Sequence, residues 1–373
     1  MNILLAGGGL QGLSCGASLY KNHKVSVWGK SLQTEKSRFF EHCYDYAKGR
    51  EEKLYELLKT EKYDVVLPIS DFTVPFVSKH KEEIEERFGV KCAVPDYEQV
   101  YIVEDKSRFM HFCQQKNIPH PKTSRLTAET IEQVGKDIGY PALIKPDYSV
   151  GARGITKVSS QEELIRLYPE ISSKYGSCTL QEFVDNQEYY FNVMMYRNRE
   201  GKILATTVIK IVRMYPIGAG SSSCCVSVEN EELTKICADC LNKLNWVGMA
   251  DFDVLQRLDN KEYKIIEINA RVPASLRGAA ISGVNFPEII VNDVMGMEIP
   301  SIVYKSGKVM RYLGLDIMWF LKSPKRFKTI PLWFSFFGSN LYYQDIYKED
   351  VSTWWTWLAE GLGKLNKRNK KLR

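Results

Sequence analysis

The chain contains 373 residues, of which 44% are hydrophobic and 26% charged, which is typical of a globular protein of two or three domains. Its net charge of +6 lies largely in the last ten residues, so we do not infer a nucleic-acid-binding protein. No apolar run is long enough to span a bilayer, and the first residues lack the basic start of a signal peptide. The nine cysteines indicate free thiols. We therefore expect a cytoplasmic protein.

The first hundred residues predict a small Rossmann-like domain with a parallel sheet. A strand at residues 2–6 is followed by the GxGxxG sequence Gly7–Gly12, a helix and a strand at residues 24–28. That motif is typical of dinucleotide sites, which also require an acidic residue at the end of the second strand. Here Trp28, Gly29 and Lys30 occupy that position. We therefore favour a tight strand-to-helix turn and keep an NAD(P)-dependent oxidoreductase as the alternative.

Two lysines further along the chain are placed to meet an anion. A helix is predicted over residues 101–116, and the helix dipole disfavours a cation such as Lys106 in its first turn. A solvated lysine is the alternative. Lys145 lies near the end of a strand at residues 140–146, before a glycine-containing loop at residues 147–154. Glycines allow backbone N–H groups to approach phosphates closely. The loop lacks the ending of a Walker loop, and a simple hairpin tip is the alternative.

Two further segments suggest contacts with a small molecule. The strand at residues 178–184 ends in a turn whose backbone could meet an adenine edge, with Gln181 at the exocyclic amine and Glu188 at the ribose. An ordinary exposed carboxylate is the alternative for Glu188. Residues 213–223 form a loop rich in glycine and serine with Arg213 at its head, which fits either a small-molecule loop or a flexible connector.

The runs 249–258 and 263–271 predict an antiparallel hairpin. In the second run, alternation places Ile266, Ile268 and Ala270 toward the core. Three polar side chains then share the other face: Glu267, Asn269 and Arg271. Carboxylate and amide oxygens suit Mg²⁺, and a guanidinium suits a phosphate oxygen.

The register of this hairpin decides whether a metal site exists. A three-residue loop at residues 259–261 would set Asp253 opposite Glu267, whereas a two-residue loop would put them on opposite faces. The metal site therefore requires the first register or a β-bulge. A polar sheet face turned to solvent is the alternative.

Taken in order, these motifs resemble the ATP-grasp superfamily over residues 101–300, and residues 2–94 resemble the α/β domain that precedes it. The similarity is closest to the branch of carbamoyl phosphate synthase and D-aspartate ligase, also in the segments RMYPIGAGSSS and RYLGLDIMWFLKSPKRF. The resemblance implies a mixed α/β and α+β protein with three parts. These are a Rossmann-like domain at residues 1–100, an ATP-grasp domain at 101–305, and a basic, aromatic C-terminal extension at 306–373.

The resemblance also implies roles for single residues. Lys106 and Lys145 would neutralise phosphates, Arg271 would steady the transferred phosphoryl group, and Arg213 could hold an acid substrate. Two Mg²⁺ ions, or Mn²⁺, would be held by Asp253, Glu267 and Asn269, with Asp251 as an alternative ligand to Asp253. The remaining ATP contacts would come from Tyr148, Ser149, Gly151, Gly154, Gln181, Glu182, Phe183, Val184 and Glu188.

The implied reaction is the ATP-dependent joining of a carboxylate to an amine, with ADP and phosphate released. The substrates would be small molecules, for example an amino acid or a cell-envelope precursor, and a homodimer is left open. A nucleotide-binding protein without catalysis is a further alternative. The tryptophans and lysines beyond residue 303 suggest either peripheral contact with the inner face of a membrane or aromatic capping of the main core.

Overall fold

The computed structural model describes residues 1–373 except 48, 149–153, 187–188, 219 and 357–373. Its strands form a five-stranded, a four-stranded and a seven-stranded sheet. Within these described ranges, no helix has the length and apolar character needed to cross a membrane.

The N-terminal part is built on a parallel sheet with strand order β3-β2-β1-β4-β5. Its central strands read as nearly continuous apolar runs because helices cover both faces of the sheet. The strands are β1 (Asn2–Ala6), β2 (Lys24–Trp28), β3 (His42–Tyr44), β4 (Val65–Pro68) and β5 (Lys91–Cys92). The helices are α1 (Gly9–Leu19), α2 (Leu32–Lys36), α3 (Lys53–Thr60), α4 (Thr73–Lys79) and α5 (Lys81–Phe88).

The glycines after β1 make a tight junction between two loops. A side chain at Gly8 would collide with the backbone of Gly29, which follows β2, and a side chain at Gly29 would collide with Gly7 and Gly8. Gly7 and Gly29 also have φ values of +125° and +155°, which favour glycine. These contacts support the interpretation of the GxGxxG sequence as a tight turn.

The middle of the chain forms an antiparallel sheet with strand order β6-β9-β7-β8. Its strands are β6 (Thr123–Leu126), β7 (Ala142–Pro146), β8 (Thr156–Val158) and β9 (Cys178–Glu182). The neighbouring helices are α6 (Tyr97–Glu104), α7 (Lys106–Gln115), α8 (Ile131–Ile138) and α9 (Gln161–Tyr175).

The helix predicted over residues 101–116 is in fact two helices, α6 and α7. Asp105 leaves the helical conformation between them, and its side chain accepts a 2.9 Å hydrogen bond from the backbone N–H of Arg108. Aspartate favours this capping position over a helix interior. The break makes Lys106 the first residue of a new helix.

The largest sheet has the order β14-β13-β10-β11-β12-β15-β16. Its strands are β10 (Tyr190–Arg197), β11 (Ile203–Tyr215), β12 (Ser221–Val228), β13 (Gly248–Gln256), β14 (Tyr263–Asn269), β15 (Val309–Arg311) and β16 (Leu341–Tyr343). The helices are α10 (Glu231–Lys243), α11 (Leu276–Ile281), α12 (Phe286–Val294) and α13 (Leu313–Lys322). The described part of the C-terminal segment therefore extends this sheet through β15 and β16.

Hydrophobic cores join these parts. One cluster links the parallel sheet, through residues such as Leu5 and Val27, to β11 and α12, through Ile209 and Ile290. A second lies between the large sheet and helices α7 and α10 and contains the fully buried Trp246. The four-stranded sheet has its own core with α8 and α9.

A buried ion cluster fastens the C-terminal segment to the large sheet. The Arg213 side chain, at the end of β11, donates 2.7 and 3.0 Å hydrogen bonds to the two carboxylate oxygens of Asp316 on α13. Arg311 on β15 donates a 2.7 Å hydrogen bond to the same carboxylate. All three side chains are buried, so Asp316 compensates two guanidinium charges.

We expect the Asp316→Asn substitution to lower the free energy of unfolding by about 3–5 kcal/mol, because it leaves two buried guanidinium groups without a counter-charge. Denaturant unfolding measures this change. The matched control is Glu231→Gln, which removes an exposed ion pair with Lys235 and should change the free energy of unfolding far less. Equal effects of the two substitutions would contradict the role assigned to the cluster.

Candidate active site

A β-bulge sets the register of the β13–β14 hairpin. Near the turn Val254 pairs with Ile265, but one step further Asp253 pairs with Glu267, so Ile266 is the extra residue. The bulge therefore places Asp253 and Glu267 side by side on one face, as the metal site requires. It also corrects the prediction that Ile266 faces the core, because Ile265 is fully buried whereas Ile266 is half-buried and lines the cleft. Ile268 is buried as predicted.

The facing carboxyl groups of Asp253 and Glu267 shift each other's pKa. Burial, with the negative charges of Glu267 and Asp251, raises the pKa of Asp253 well above its usual value. Burial would also raise the pKa of Glu267, but the positive charges of Lys106 and Lys145 and the hydrogen bond to Asp253 hold it below its usual value. Asp253 also accepts a hydrogen bond from the Asn192 amide. The two facing carboxyl groups therefore have pKa values shifted in opposite directions.

Two lysines reach this carboxyl pair from different elements. The Lys106 ammonium, at the start of α7, lies 3.8 Å from a carboxylate oxygen of Glu267. Lys145, near the end of β7, is only 7% exposed, and burial lowers its pKa to about 8, an effect that the charge of Glu267 opposes. The two ammonium groups and the two carboxyl groups thus lie around one point of the cleft.

Gln181 holds Lys145 in place. Its side-chain oxygen accepts a 2.8 Å hydrogen bond from the Lys145 ammonium, and its amide donates a 2.9 Å hydrogen bond to the Thr123 hydroxyl. Both ends of this side chain are therefore engaged inside the four-stranded sheet. We accordingly assign Gln181 to positioning Lys145 rather than to reading the exocyclic amine of adenine.

Arg271 connects the hairpin to the N-terminal part. Its guanidinium donates a 2.8 Å hydrogen bond to Asp71 and a 3.2 Å hydrogen bond to the side-chain oxygen of Asn269. The Asn269 amide in turn donates to Asp251, whose carboxylate lies 4.0 Å from Arg271. Asp251 therefore orients Asn269 and Arg271, whereas Asp253 lines the cleft directly.

The cleft has a volume of about 820 Å³ and lies between the large sheet, the four-stranded sheet and the residues that follow β4. The four-stranded sheet contributes Lys145 and the segment after β9, and the loop after β4 contributes Asp71 and Phe72. The predicted cleft residues that line it are Lys106, Lys145, Tyr148, Gln181, Glu182, Phe183, Val184, Asp253, Glu267, Asn269 and Arg271. A volume of this size accommodates a nucleotide and a small substrate.

The remaining residues predicted to contact ATP are Gly154, Ser149, Gly151 and Glu188. Gly154 has a φ of +77°, and a side chain there would lie 2.9 Å from Pro146 and Tyr175, so this position requires glycine at the base of the loop. Ser149, Gly151 and Glu188 lie outside the described residues.

Arg213 does not reach the cleft. Its guanidinium is fully buried, is bound to Asp316, and donates a further 2.8 Å hydrogen bond to the Pro331 carbonyl. A substrate carboxylate would have to displace Asp316 to bind there. We therefore assign Arg213 to anchoring the C-terminal segment, which corrects the expectation that it holds an acid substrate.

Sequence reasoning missed three polar residues of the site. Asp71 follows a strand of the N-terminal sheet, and no local pattern connects it to Arg271. Asn192 lies within β10, where it bonds both Asp253 and the Ser275 hydroxyl. Lys157 lines the cleft with its ammonium 3.7 Å from the centre of the Phe183 ring. Its place just after the glycine loop is a signal that could have identified it.

The sequence and the fold both have relatives among known proteins. Residues 103–275 match the family model of the ATP-grasp domain. The chain is 23% identical over 229 residues to the C-terminal section of the carbamoyl phosphate synthase large chain of Methanopyrus kandleri, a match covering 59% of this chain and 42% of that protein. It is 23% identical over 252 residues to D-aspartate ligase of Enterococcus faecium, covering 63% of this chain and 59% of the ligase.

The fold is similar to that of a solved structure, the biotin carboxylase–βγ-ATP complex from Campylobacter jejuni. The TM-score is 0.70 at 18% identity, over 83% of this chain and 74% of that one. This likeness shows the fold. The chain spans less than two thirds of the length of the two curated relatives described above.

We expect Glu267→Gln and Asp253→Asn each to weaken Mn²⁺ binding in the presence of ADP by at least about 10-fold, because each removes a charged oxygen donor. Calorimetric titration with Mn²⁺ measures the change. Glu262→Gln is the control, since that carboxylate is exposed near the turn of the same hairpin. Unchanged Mn²⁺ affinity in both site variants would show that these carboxylates hold no metal.

Proposed function

Residues 103–275 form an ATP-grasp domain, and we propose on that premise that the protein is an ATP-dependent carboxylate–amine ligase. The observation that carries this proposal is the group of four charged side chains in one cleft, with Asp253 and Glu267 facing each other and Lys106 and Lys145 beside them. Such an arrangement suits a polyphosphate bound through a divalent cation.

We place the adenine against the segment after β9. The N–H groups of Glu182 and Phe183 are engaged by the carbonyls of Lys122 and Pro141. The carbonyls of this segment and the N–H of Val184 are therefore the groups assigned to the adenine edge. From there the phosphates would extend toward Lys145 and Lys106, with Tyr148 and Gly154 at the two ends of the loop beside them.

The donor set fits Mg²⁺ or Mn²⁺. The described residues contain no cluster of three or more His, Cys, Asp or Glu side chains placed to hold a metal. A cation here would be held by two carboxylates, Asp253 and Glu267, and the amide oxygen of Asn269. Mg²⁺ accepts such a small protein contribution because water and phosphate complete its shell. When bound, it supplies charge neutralisation at the phosphates. We propose two ions, which Asp253, Glu267 and Asn269 would hold.

The reaction would proceed in two steps. First, an oxygen of the substrate carboxylate attacks the γ-phosphorus, the bond from that phosphorus to the β-phosphate oxygen breaks, and ADP leaves. Second, the amine nitrogen attacks the acyl carbon, phosphate leaves with the bonding electrons, and the nitrogen loses a proton. Lys106, Lys145 and Arg271 would stabilise the negative charge that develops on the phosphoryl oxygens.

Asp71 would set the position of Arg271 during these steps. The Arg271 guanidinium is bound to Asp71 on one side and to Asn269 on the other. This contact makes the N-terminal part a contributor to the active site. A guanidinium held in this way needs little reorganisation when a phosphoryl group arrives.

We expect ATP affinity to fall as the pH rises above about 8, because the Lys145 ammonium then loses its proton and its attraction for phosphate. Equilibrium titration with ATP over the range from about pH 7 to about pH 9 measures this dependence. Lys145→Met should bind ATP weakly and with little change over the same range, whereas the exposed control Lys136→Met should behave as the wild type. A wild-type affinity that does not change with pH would contradict the role of Lys145.

The proposed reaction is tested by ADP release over a panel of carboxylic acids with hydroxylamine present. Hydroxylamine converts an acyl phosphate to a hydroxamate, so the correct acid should give ADP and hydroxamate in equal amounts. Lys145→Met and Glu267→Gln should lose both products, and Lys136→Met should retain them. ADP release without hydroxamate from any acid would count against carboxylate activation.

A further inference from the structure

The last residues of α13 and the segment after it present an aromatic surface to solvent, which we call the aromatic platform and define as residues 320–337. Phe320 stacks on Trp333 at 4.1 Å between ring centres, and Phe327 and Phe334 pack against Phe320. Several members are strongly exposed, for example Phe337 at 94%, Ile330 at 87% and Phe327 at 67%. Contiguous exposed apolar surface of this kind marks an interaction site.

Hydrogen bonds from buried polar groups hold the platform with its apolar side chains toward solvent. Arg213 donates hydrogen bonds to the Pro331 carbonyl and the Thr329 hydroxyl, and Arg311 donates a 2.7 Å hydrogen bond to the Ser335 carbonyl. The Trp333 indole donates to the Asp316 carbonyl. The polar atoms of the segment therefore point inward onto the ion cluster, and its apolar side chains point outward. These hydrogen bonds therefore keep the aromatic side chains of the platform exposed.

The charges around the platform are of one sign. Lys322, Lys325, Arg326 and Lys328 lie within it, and the sequence contains no Asp or Glu between Asp316 and Asp345. Lys322, Lys325 and Lys328 are exposed, and Arg326 is half-buried with its guanidinium 5.9 Å from the centre of the Phe327 ring. The surface therefore combines apolar tips with basic side chains.

We propose that the aromatic platform docks on the surface of an anionic lipid bilayer. Aromatic and aliphatic tips favour the region between headgroups and acyl chains, and flanking lysines favour anionic headgroups. A second copy of the chain fits less well, because a symmetric contact through the platform would bring two positively charged surfaces together. The docking goes beyond the proposed ligase function and does not depend on it.

Vesicle flotation of the full chain, without ATP, tests the docking. We expect the protein to float with vesicles of phosphatidylcholine containing about one third phosphatidylglycerol and to remain unbound with pure phosphatidylcholine. The triple variant Phe327→Ser/Phe334→Ser/Phe337→Ser should lose flotation. Tyr101→Ser and Val303→Ser, which remove exposed apolar side chains elsewhere, should retain it.

A charge-matched pair of variants locates the electrostatic contribution. Lys325→Gln/Arg326→Gln/Lys328→Gln should partition about 100-fold more weakly onto the anionic vesicles. Lys62→Gln/Lys136→Gln/Lys235→Gln has the same net charge, removes exposed lysines elsewhere, and should partition nearly as the wild type. Equal losses in the two variants would overturn the assignment to the platform.

Two further outcomes would overturn the proposal. The first is a wild-type protein that does not float with anionic vesicles. The second is a concentration-dependent dimer in analytical ultracentrifugation that the phenylalanine variant abolishes, without any flotation, which would identify a second copy as the occupant. ADP release in solution should be unchanged in the platform variants, so failure of docking and failure of the ligase function are distinguishable.

Discussion

The compensation of charge inside the cleft is the constraint on which the rest of the site depends. Burial and the neighbouring negative charges raise the pKa of Asp253 well above its usual value, and burial lowers the pKa of Lys145 to about 8. Each of these groups is stabilised by a charge on another element, since Lys106 comes from a helix, Lys145 from the small sheet and the carboxylates from the large sheet. The site is therefore balanced only when all three elements are in place.

This constraint explains why polar contacts around the cleft cross between elements. Gln181 ties Lys145 to the strand containing Thr123, and Asn192 ties Asp253 to Ser275. Buried polar groups are costly unless they are hydrogen-bonded, so these contacts offset part of the cost of placing charges there. Their second effect is to fix the directions of the groups that would meet a polyphosphate.

Charge compensation also positions the C-terminal segment. Asp316 binds two buried arginines, and each arginine also donates a hydrogen bond to a backbone carbonyl of the segment after α13. The resulting loop keeps its polar atoms inside and its aromatic side chains outside. An isolated apolar loop would be expected to turn its apolar side chains inward. The ion cluster therefore determines that the aromatic side chains face solvent.

Local patterns in the sequence determined the strands of the N-terminal sheet, the hairpin that carries Glu267 and the two lysines, because alternation, glycine turns and dipole rules act over a few residues. The tertiary structure alone decided the bulge at Ile266, the pairing of Arg271 with Asp71, and the burial of Arg213 against Asp316. Those features depend on strand register and on contacts between residues far apart in the chain, 200 positions for Asp71 and Arg271 and 103 for Arg213 and Asp316. The free energy of such contacts depends on which groups the completed fold excludes from water, and no short window of sequence contains that information.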